Sequence, residues 1–413
     1  MTRRSRLPLS ELAFVWGGNI LSKVMMFFAT IYLANKLEVE GFGVFSTAFA
    51  ITNYISLALF TGLDTLTTAE SAKLSPEKVW PFSKELFAVR RKLANLAVIL
   101  IALIALYMGK GNRDSGFALI LFGLGFIPLQ FYTVNVFYGL EWSWPIAAYF
   151  VGGRLVYLAL LFVFVNNSSN LMAAAGAFTA AIAIENIFLF LCLFLRYGKI
   201  ADRGVPAPKI NLKPVLLLTV LSALVLLHEN APQFLVYFMK GEEEAGLYAS
   251  SFRLIYTAVT FANLGGFVFL ARFSKEEGEE TYKKSLLPAL VLGILFAAAG
   301  YLCAELIYSF LFSKSYEGGA LVLKAGIFQM ALVPARVLAY QRVIAKGNAK
   351  SALLPLILGV ILSIGLSAYM ISLKGAIGAA RGLFCGEAAI TAILLFLAGR
   401  PISKETGERS PDA

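Results

Sequence analysis

The chain has 413 residues, 59% of them hydrophobic and only 15% charged, with a formal net charge of +11 and a mean hydropathy of +0.75. A soluble domain carries about 25% charged residues, so this composition excludes a water-soluble globular protein. The basic balance does not point to a nucleic-acid partner, because the cations concentrate in the loops on one side of a series of apolar blocks, where membrane topology places them.

The N-terminal Arg3, Arg4 and Arg6 precede an apolar stretch too long for a signal peptide and without a clear cleavage pattern, and it reads as a first membrane span. Apolar blocks bounded by charges, Gly and Pro predict spans over residues 11–35, 42–68, 93–108, 116–139, 145–166 and 171–196. Six more follow over residues 213–239, 245–271, 286–312, 322–343, 351–372 and 375–399. A helix needs about 20 residues to cross the roughly 30 Å of hydrocarbon. The expected fold is an all-α integral membrane protein of about 12 transmembrane helices. Cys192, Cys303 and Cys385 fall inside apolar blocks, where cysteine packs as a small hydrophobe, and no metal site or cofactor is expected.

The loops on the side of the two termini hold 24 Lys and Arg and the alternate loops 7. The other five cations, Lys23, Arg154, Arg253, Arg336 and Arg381, lie inside predicted spans. Cytoplasmic loops carry the excess of Lys and Arg, so both termini are expected in the cytoplasm of a protein crossing the cell membrane an even number of times. The basic stretches Lys73 to Lys92 and Arg272 to Lys284 read as cytoplasmic loops facing anionic membrane lipids.

Between the sixth and seventh spans, residues 197–213 carry five charges together with Pro206 and Pro208, and read as a cytoplasmic linker between a six-helix lobe at 1–196 and another at 214–413. Glu40-Gly-Phe-Gly43-Val-Phe45-Ser-Thr-Ala-Phe49 aligns with Glu243-Glu-Ala-Gly246-Leu-Tyr248-Ala-Ser-Ser-Phe252 at a constant offset of 203. Each segment is the turn between the first two helices of its half. Six spans per half make the lobes parallel repeats.

Those two turns carry a resemblance. Residues 31–51 are similar to the first helix-turn-helix of polysaccharide flippases of the multidrug/oligosaccharidyl-lipid/polysaccharide exporter superfamily, and Ala245 to Leu254 resembles the Gly-x-Tyr-x-x-Ala pattern of that family's second lobe. The chain departs from the family's Leu-Gly-Pro-Glu at the first turn, having Leu37-Glu38-Val39-Glu40. The resemblance implies a transporter that flips a polyprenyl-pyrophosphate-linked oligosaccharide from the cytoplasmic to the outer leaflet by alternating access, with H+ or Na+ as a possible coupling ion. A cation-coupled drug antiporter of the same superfamily and a non-transporting membrane scaffold are the competing expectations. No Gly-rich phosphate loop, HExxH or metal-ligand spacing is present, so the chain does not read as an enzyme.

A charge at mid-bilayer costs about 2.5 kcal/mol or more, so the intramembrane charges are expected to face a cavity or a partner. Lys23 shares a helix face with Trp16, Asn19 and Thr30, and Arg253 with Ser250, Thr257 and Thr260. His228, Glu229 and Asn230 precede Pro232, where the seventh helix is expected to bend or break. Against the five cations stand five acids, Asp64, Glu185, Glu229, Glu305 and Glu387. Two readings are open: a positive path suited to phosphate oxygens, or ion pairing between helices. Asp64, Glu185, Glu229 and His228 are also the candidates for a coupling site.

Overall fold

The structure, a computed structural model, describes residues 9–199, 213–273, 278–345 and 353–399. Helices α1 (Leu9–Ser71), α2 (Pro76–Gly111), α3 (Arg113–Leu124), α4 (Phe126–Leu129), α5 (Val134–Gly139), α6 (Ser143–Phe164) and α7 (Leu171–Tyr197) make the first half. Helices α8 (Lys213–Lys240), α9 (Glu242–Phe273), α10 (Gly278–Leu311), α11 (Gly319–Gly326), α12 (Val333–Ala345) and α13 (Leu353–Gly399) make the second. No strand occurs among the described residues.

Eight segments among the described residues are long and apolar enough to cross a membrane. Two of them are pairs of helices joined at a break. α1 turns at Glu38, whose φ is 58° and ψ −179°, and α13 turns at Lys374 and Gly375. With α8 and α9, of 28 and 32 residues, the chain is an all-α membrane protein consistent with about twelve spans.

The repeat is visible in the backbone. Glu38 breaks α1 at φ 58°, and Gly241, 203 residues later, separates α8 from α9 at φ 91°. A Cβ at Gly43 would overlap the Glu242 carbonyl, and a Cβ at Gly246 would overlap the Val39 carbonyl. These two contacts are the same contact seen from either half, since Val39 and Glu242 also differ by 203. The fourth span of each half is interrupted as well: α3 gives way to α4 at Gly125, and α11 gives way to a 3-10 turn over Ile327–Ala331.

One boundary differs from expectation. Lys73 to Lys92 is not a basic loop: α2 begins at Pro76, after an extended Ser75. Proline at the first helical position has its φ preset and lacks an N–H that would have no partner there, and Glu77 in the first turn complements the helix dipole. From there Phe82, Leu86, Ala94, Ala97 and Ile101 form a buried stripe at helical spacing. The stretch Arg272 to Lys284 likewise ends in helix, where Glu279–Lys283 at 2.8 Å and Glu280–Lys284 at 2.6 Å are exposed pairs one turn apart.

By packing, the chain divides into two compact units, Met1–Ser250 with Ser309–Glu317, and Ser251–Tyr308 with Gly318–Ala413. The first unit therefore holds α8 and the start of α9 beside the first half. Of the linker expected over 197–213, residues 200–212 lie outside the described residues. The core of the first unit gathers Leu63, Val79, Phe82, Leu86, Val134 and Phe137; that of the second gathers Tyr282, Leu338, Val343, Ile390 and Leu394. Small residues such as Ala29, Ala34, Ala48 and Ala174 are wholly buried between helices. That fits association in lipid, where close backbone approach replaces the hydrophobic effect as the force between helices. Leu195, Leu302 and Phe310 point outward with most of their surface exposed, as a lipid face requires.

Candidate functional site

Inside the first unit, two ion pairs lie close together. Asp64 on α1 accepts a hydrogen bond from the Arg90 guanidinium on α2, and Asn135 on α5 also hydrogen-bonds the Asp64 side chain. Arg90 is 1% exposed. Its guanidinium stands 4.9 Å from the Tyr132 ring centroid and 5.4 Å from that of Phe60, an arrangement that stabilises a desolvated cation. Sequence reasoning placed Arg90 among the cytoplasmic loop charges and missed it. The signal was present: position 90 falls on the apolar stripe between Leu86 and Ala94.

The second pair joins Arg154 on α6 to Glu185 on α7, at 3.1 Å between Nη1 and Oε1. Tyr149 hydrogen-bonds the same carboxylate. Gly153 lets the pair form, because a Cβ there would collide with the Glu185 carboxylate itself. The Tyr132 and Tyr149 rings meet edge to face with centroids 5.8 Å apart, so one aromatic pair links the two ion pairs. Beside them opens a cavity of about 140 Å³ lined by Thr52, Asn53, Ser56, Tyr149, Arg154 and Asn186.

In the second unit Arg336 on α12 hydrogen-bonds Glu387 on α13, with Glu387 buried. Glu305 pairs with Lys324 at 2.6 Å, largely exposed. Arg253 is half-buried and Arg381 is exposed. The Thr257 hydroxyl, expected on the Arg253 face, donates to the Arg253 carbonyl at 2.8 Å; the Thr260 side chain lies outside the described ones. The structure thus brings Asp64, Glu185, Glu305 and Glu387 each to a cation, and Arg154 and Arg336 are engaged in these pairs.

Lys23 is half-buried on α1 and, among the described residues, has no ion-pair or hydrogen-bond partner. Asp64 and Glu185, the two acids that would have neutralised it, are taken by Arg90 and Arg154. On α8, Pro232 lies within a helix that runs from Lys213 to Lys240 without interruption, so it does not divide the helix in two. Pro232 and Gln233 are buried, and the Gln233 amide donates to the Thr47 hydroxyl at 3.0 Å and the Ala245 carbonyl at 3.2 Å. Glu229 is half-buried, and the side chain of His228 lies outside the described ones. Among the described residues, no three His, Cys, Asp or Glu gather to hold a metal ion.

A bundle of long apolar helices, with buried charges such as Arg90, Glu185 and Glu387 held in ion pairs, defines an all-α multi-pass membrane protein. The family model of polysaccharide biosynthesis proteins matches residues 11–255, and the chain belongs to that family. Solved structures share the fold. An inward-facing multidrug resistance MATE family transporter of the MOP superfamily is 17% identical, with TM-score 0.75 and coverage of 91% of this chain and 93% of that one. The lipid II flippase MurJ in an inward closed conformation is 12% identical, with TM-score 0.70 and coverage of 92% and 86%. A MOP superfamily transporter from Pyrococcus furiosus, described as having a binding pocket of reversed polarity, is 15% identical with TM-score 0.62 and coverage of 94% and 93%. No curated protein matches the chain by sequence.

Proposed function

We propose that the protein flips a polyprenyl-pyrophosphate-linked oligosaccharide from the cytoplasmic to the outer leaflet of the cell membrane, for cell-surface polysaccharide synthesis. Membership of the polysaccharide biosynthesis family supplies the substrate class. The observation that carries the reading is the charge balance of the first unit: Asp64 and Glu185 are occupied by arginines, while Lys23 has no partner among the described residues. A carrier of cations needs a carboxylate free to exchange its ion. A carrier of a pyrophosphate head group needs an available cation, since ammonium and guanidinium groups pair strongly with phosphate oxygens.

In this mechanism Lys23 meets the pyrophosphate in the path, the Asp64–Arg90 and Glu185–Arg154 pairs hold the first half rigid without adding net charge, and alternating access of two six-helix lobes, 1–196 and 214–413, carries the head group across. Both termini lie in the cytoplasm.

Two assays test this. Reporters at Ala413 and in the 197–213 linker should both read as cytoplasmic. Proteoliposomes holding the purified chain should transfer a fluorescent undecaprenyl-pyrophosphate-linked oligosaccharide between leaflets, and should not exchange ethidium for protons. Proton-coupled ethidium transport without lipid transfer would overturn the proposal in favour of the antiporter.

A further inference from the structure

Hydrogen bonds between the two halves of the chain gather at four turns. The Asn35 amide, beside the α1 break, donates to the Leu311 carbonyl at 2.7 Å, and the Tyr316 hydroxyl just beyond α10 closes on the Ala34 and Glu38 carbonyls. At the junction of α2 and α3 the Asn112 amide donates to the carboxylate of Glu242, the first residue of α9. Beside it the Tyr237 hydroxyl, near the end of α8, donates to the Ser115 hydroxyl. The Asn112 side chain is committed at both ends, because its Oδ1 caps α3 by accepting from the Asp114 and Ser115 amides. Glu242 is shared in the same way: its carboxylate holds the α2–α3 junction, and its carbonyl abuts Gly43 in the first turn.

These turns follow the first, third, seventh and ninth spans, so an even number of spans separates any two of them, and all four lie on the membrane face opposite the N-terminus. By contrast, the ion pairs Asp64–Arg90, Arg154–Glu185 and Arg336–Glu387 each stay within one half. The closure explains a feature of the packing: Ser309–Glu317 joins the first compact unit although the chain on either side belongs to the second. The bonds of Leu311 and Tyr316 to the α1 turn hold it there. Asn112, Tyr237 and Glu242 are only half-buried. Water can replace partners in such a place, so these bonds break at far lower cost than the buried ion pairs.

We propose that these four turns form a latch that closes the transport path on its outer face, and that the Asn112–Glu242 and Tyr237–Ser115 bonds part to let the head group leave. The inference rests on the flippase reading for the cargo and on its topology for which face is the outer one. The latch itself needs only two halves that separate at this end. Behind it the Gln233 amide of α8 donates to the Thr47 hydroxyl of α1, and Thr47 has no exposed surface. Thr47 is therefore reached from the outer face only when the latch opens.

The test uses the full-length protein in proteoliposomes, with Cys192, Cys303 and Cys385 replaced by alanine. In a variant carrying Asn112→Cys and Glu242→Cys, a short bifunctional methanethiosulfonate should join the two thiols and cut transfer of the fluorescent undecaprenyl-pyrophosphate-linked oligosaccharide at least tenfold, and dithiothreitol should restore it. Methyl methanethiosulfonate, which caps both thiols without joining them, should leave transfer at the untreated rate. Independently of the cargo, Tyr237→Phe or Ser115→Ala should speed labelling of Thr47→Cys by a membrane-impermeant thiol reagent added on the side opposite Ala413. The increase should be roughly fivefold, the effect on an opening equilibrium of losing one ordinary hydrogen bond. Undiminished transfer by the bridged protein overturns the latch, as does failure of the bridge to form or labelling that neither substitution accelerates. If no preparation transfers lipid, the flippase reading falls and the labelling alone decides the latch. Lipid transfer with unaltered labelling refutes the latch and leaves the flippase reading standing.

Discussion

Gly43 and Gly246 stand at equivalent positions of the two halves, each pressed against the backbone of the other half's turn, Gly43 on Glu242 and Gly246 on Val39. Neither contact can admit a Cβ without moving backbone. Gly43→Ala and Gly246→Ala should each destabilise the protein by about 1–3 kcal/mol, the usual cost of overpacking a close contact. Because the contacts are related by the repeat, the two losses should be similar. Thermal melting of the purified variants measures this, and a Gly43→Ala protein that melts like wild type would contradict the packing described.

Glu38 sits at φ 58° and ψ −179°, a region that is close to glycine's alone. Its counterpart in the second half is Gly241, at φ 91°. The strain is held in place because the Tyr316 hydroxyl donates to the carbonyls of Ala34 at 3.1 Å and Glu38 at 3.2 Å, satisfying acceptors that the helix break leaves open. Glu38→Gly should therefore raise stability, by about 1 kcal/mol or more. A lower melting temperature for this variant would show that the Glu38 side chain contributes more than its backbone costs.

Arg90 and Asp64 form a pair whose separation leaves a charge buried without a partner. Arg90→Met should cost about 3–5 kcal/mol, whereas Arg90→Met combined with Asp64→Asn should recover much of that loss. Yield of monodisperse protein and its melting temperature are the readouts. Equal damage from the single and double variants would mean that the pair is not an energetic unit.

Gly153→Ala should displace the Glu185 carboxylate and so mimic Glu185→Gln. Both variants are expected to leave Arg154 without its partner and to lose stability by a similar amount, within about 1 kcal/mol of each other if the displaced carboxylate is the shared cause. A Gly153→Ala variant as stable as wild type would contradict the contact.

The membrane class, the spans and the repeat were legible because length of apolar run, loop charge and the two glycine turns are properties of the sequence itself. Arg90 was hidden by the opposite rule: near the end of a basic stretch, a Lys or Arg is assigned to the loop, and only the stripe from Phe82 to Ile101 reveals that the helix has already begun. The pairing of Arg154 with Glu185 was left open in the sequence because the choice among five acids depends on how α6 meets α7. Gly153, adjacent in sequence to Arg154, marks that meeting. The departure at Glu38 was visible as a missing glycine, but its meaning needed the dihedral angle.

The most direct test of the account is the rate at which proteoliposomes transfer a fluorescent undecaprenyl-pyrophosphate-linked oligosaccharide, compared between wild type and Lys23→Gln at equal amounts of folded, inserted protein. Glutamine keeps much of the side-chain length and removes the charge. The account predicts active transfer by wild type and at least tenfold slower transfer by Lys23→Gln, with unchanged melting temperature and partial recovery in Lys23→Arg, whose guanidinium keeps the charge with a different geometry. Wild-type rates in a well-folded Lys23→Gln protein would contradict it.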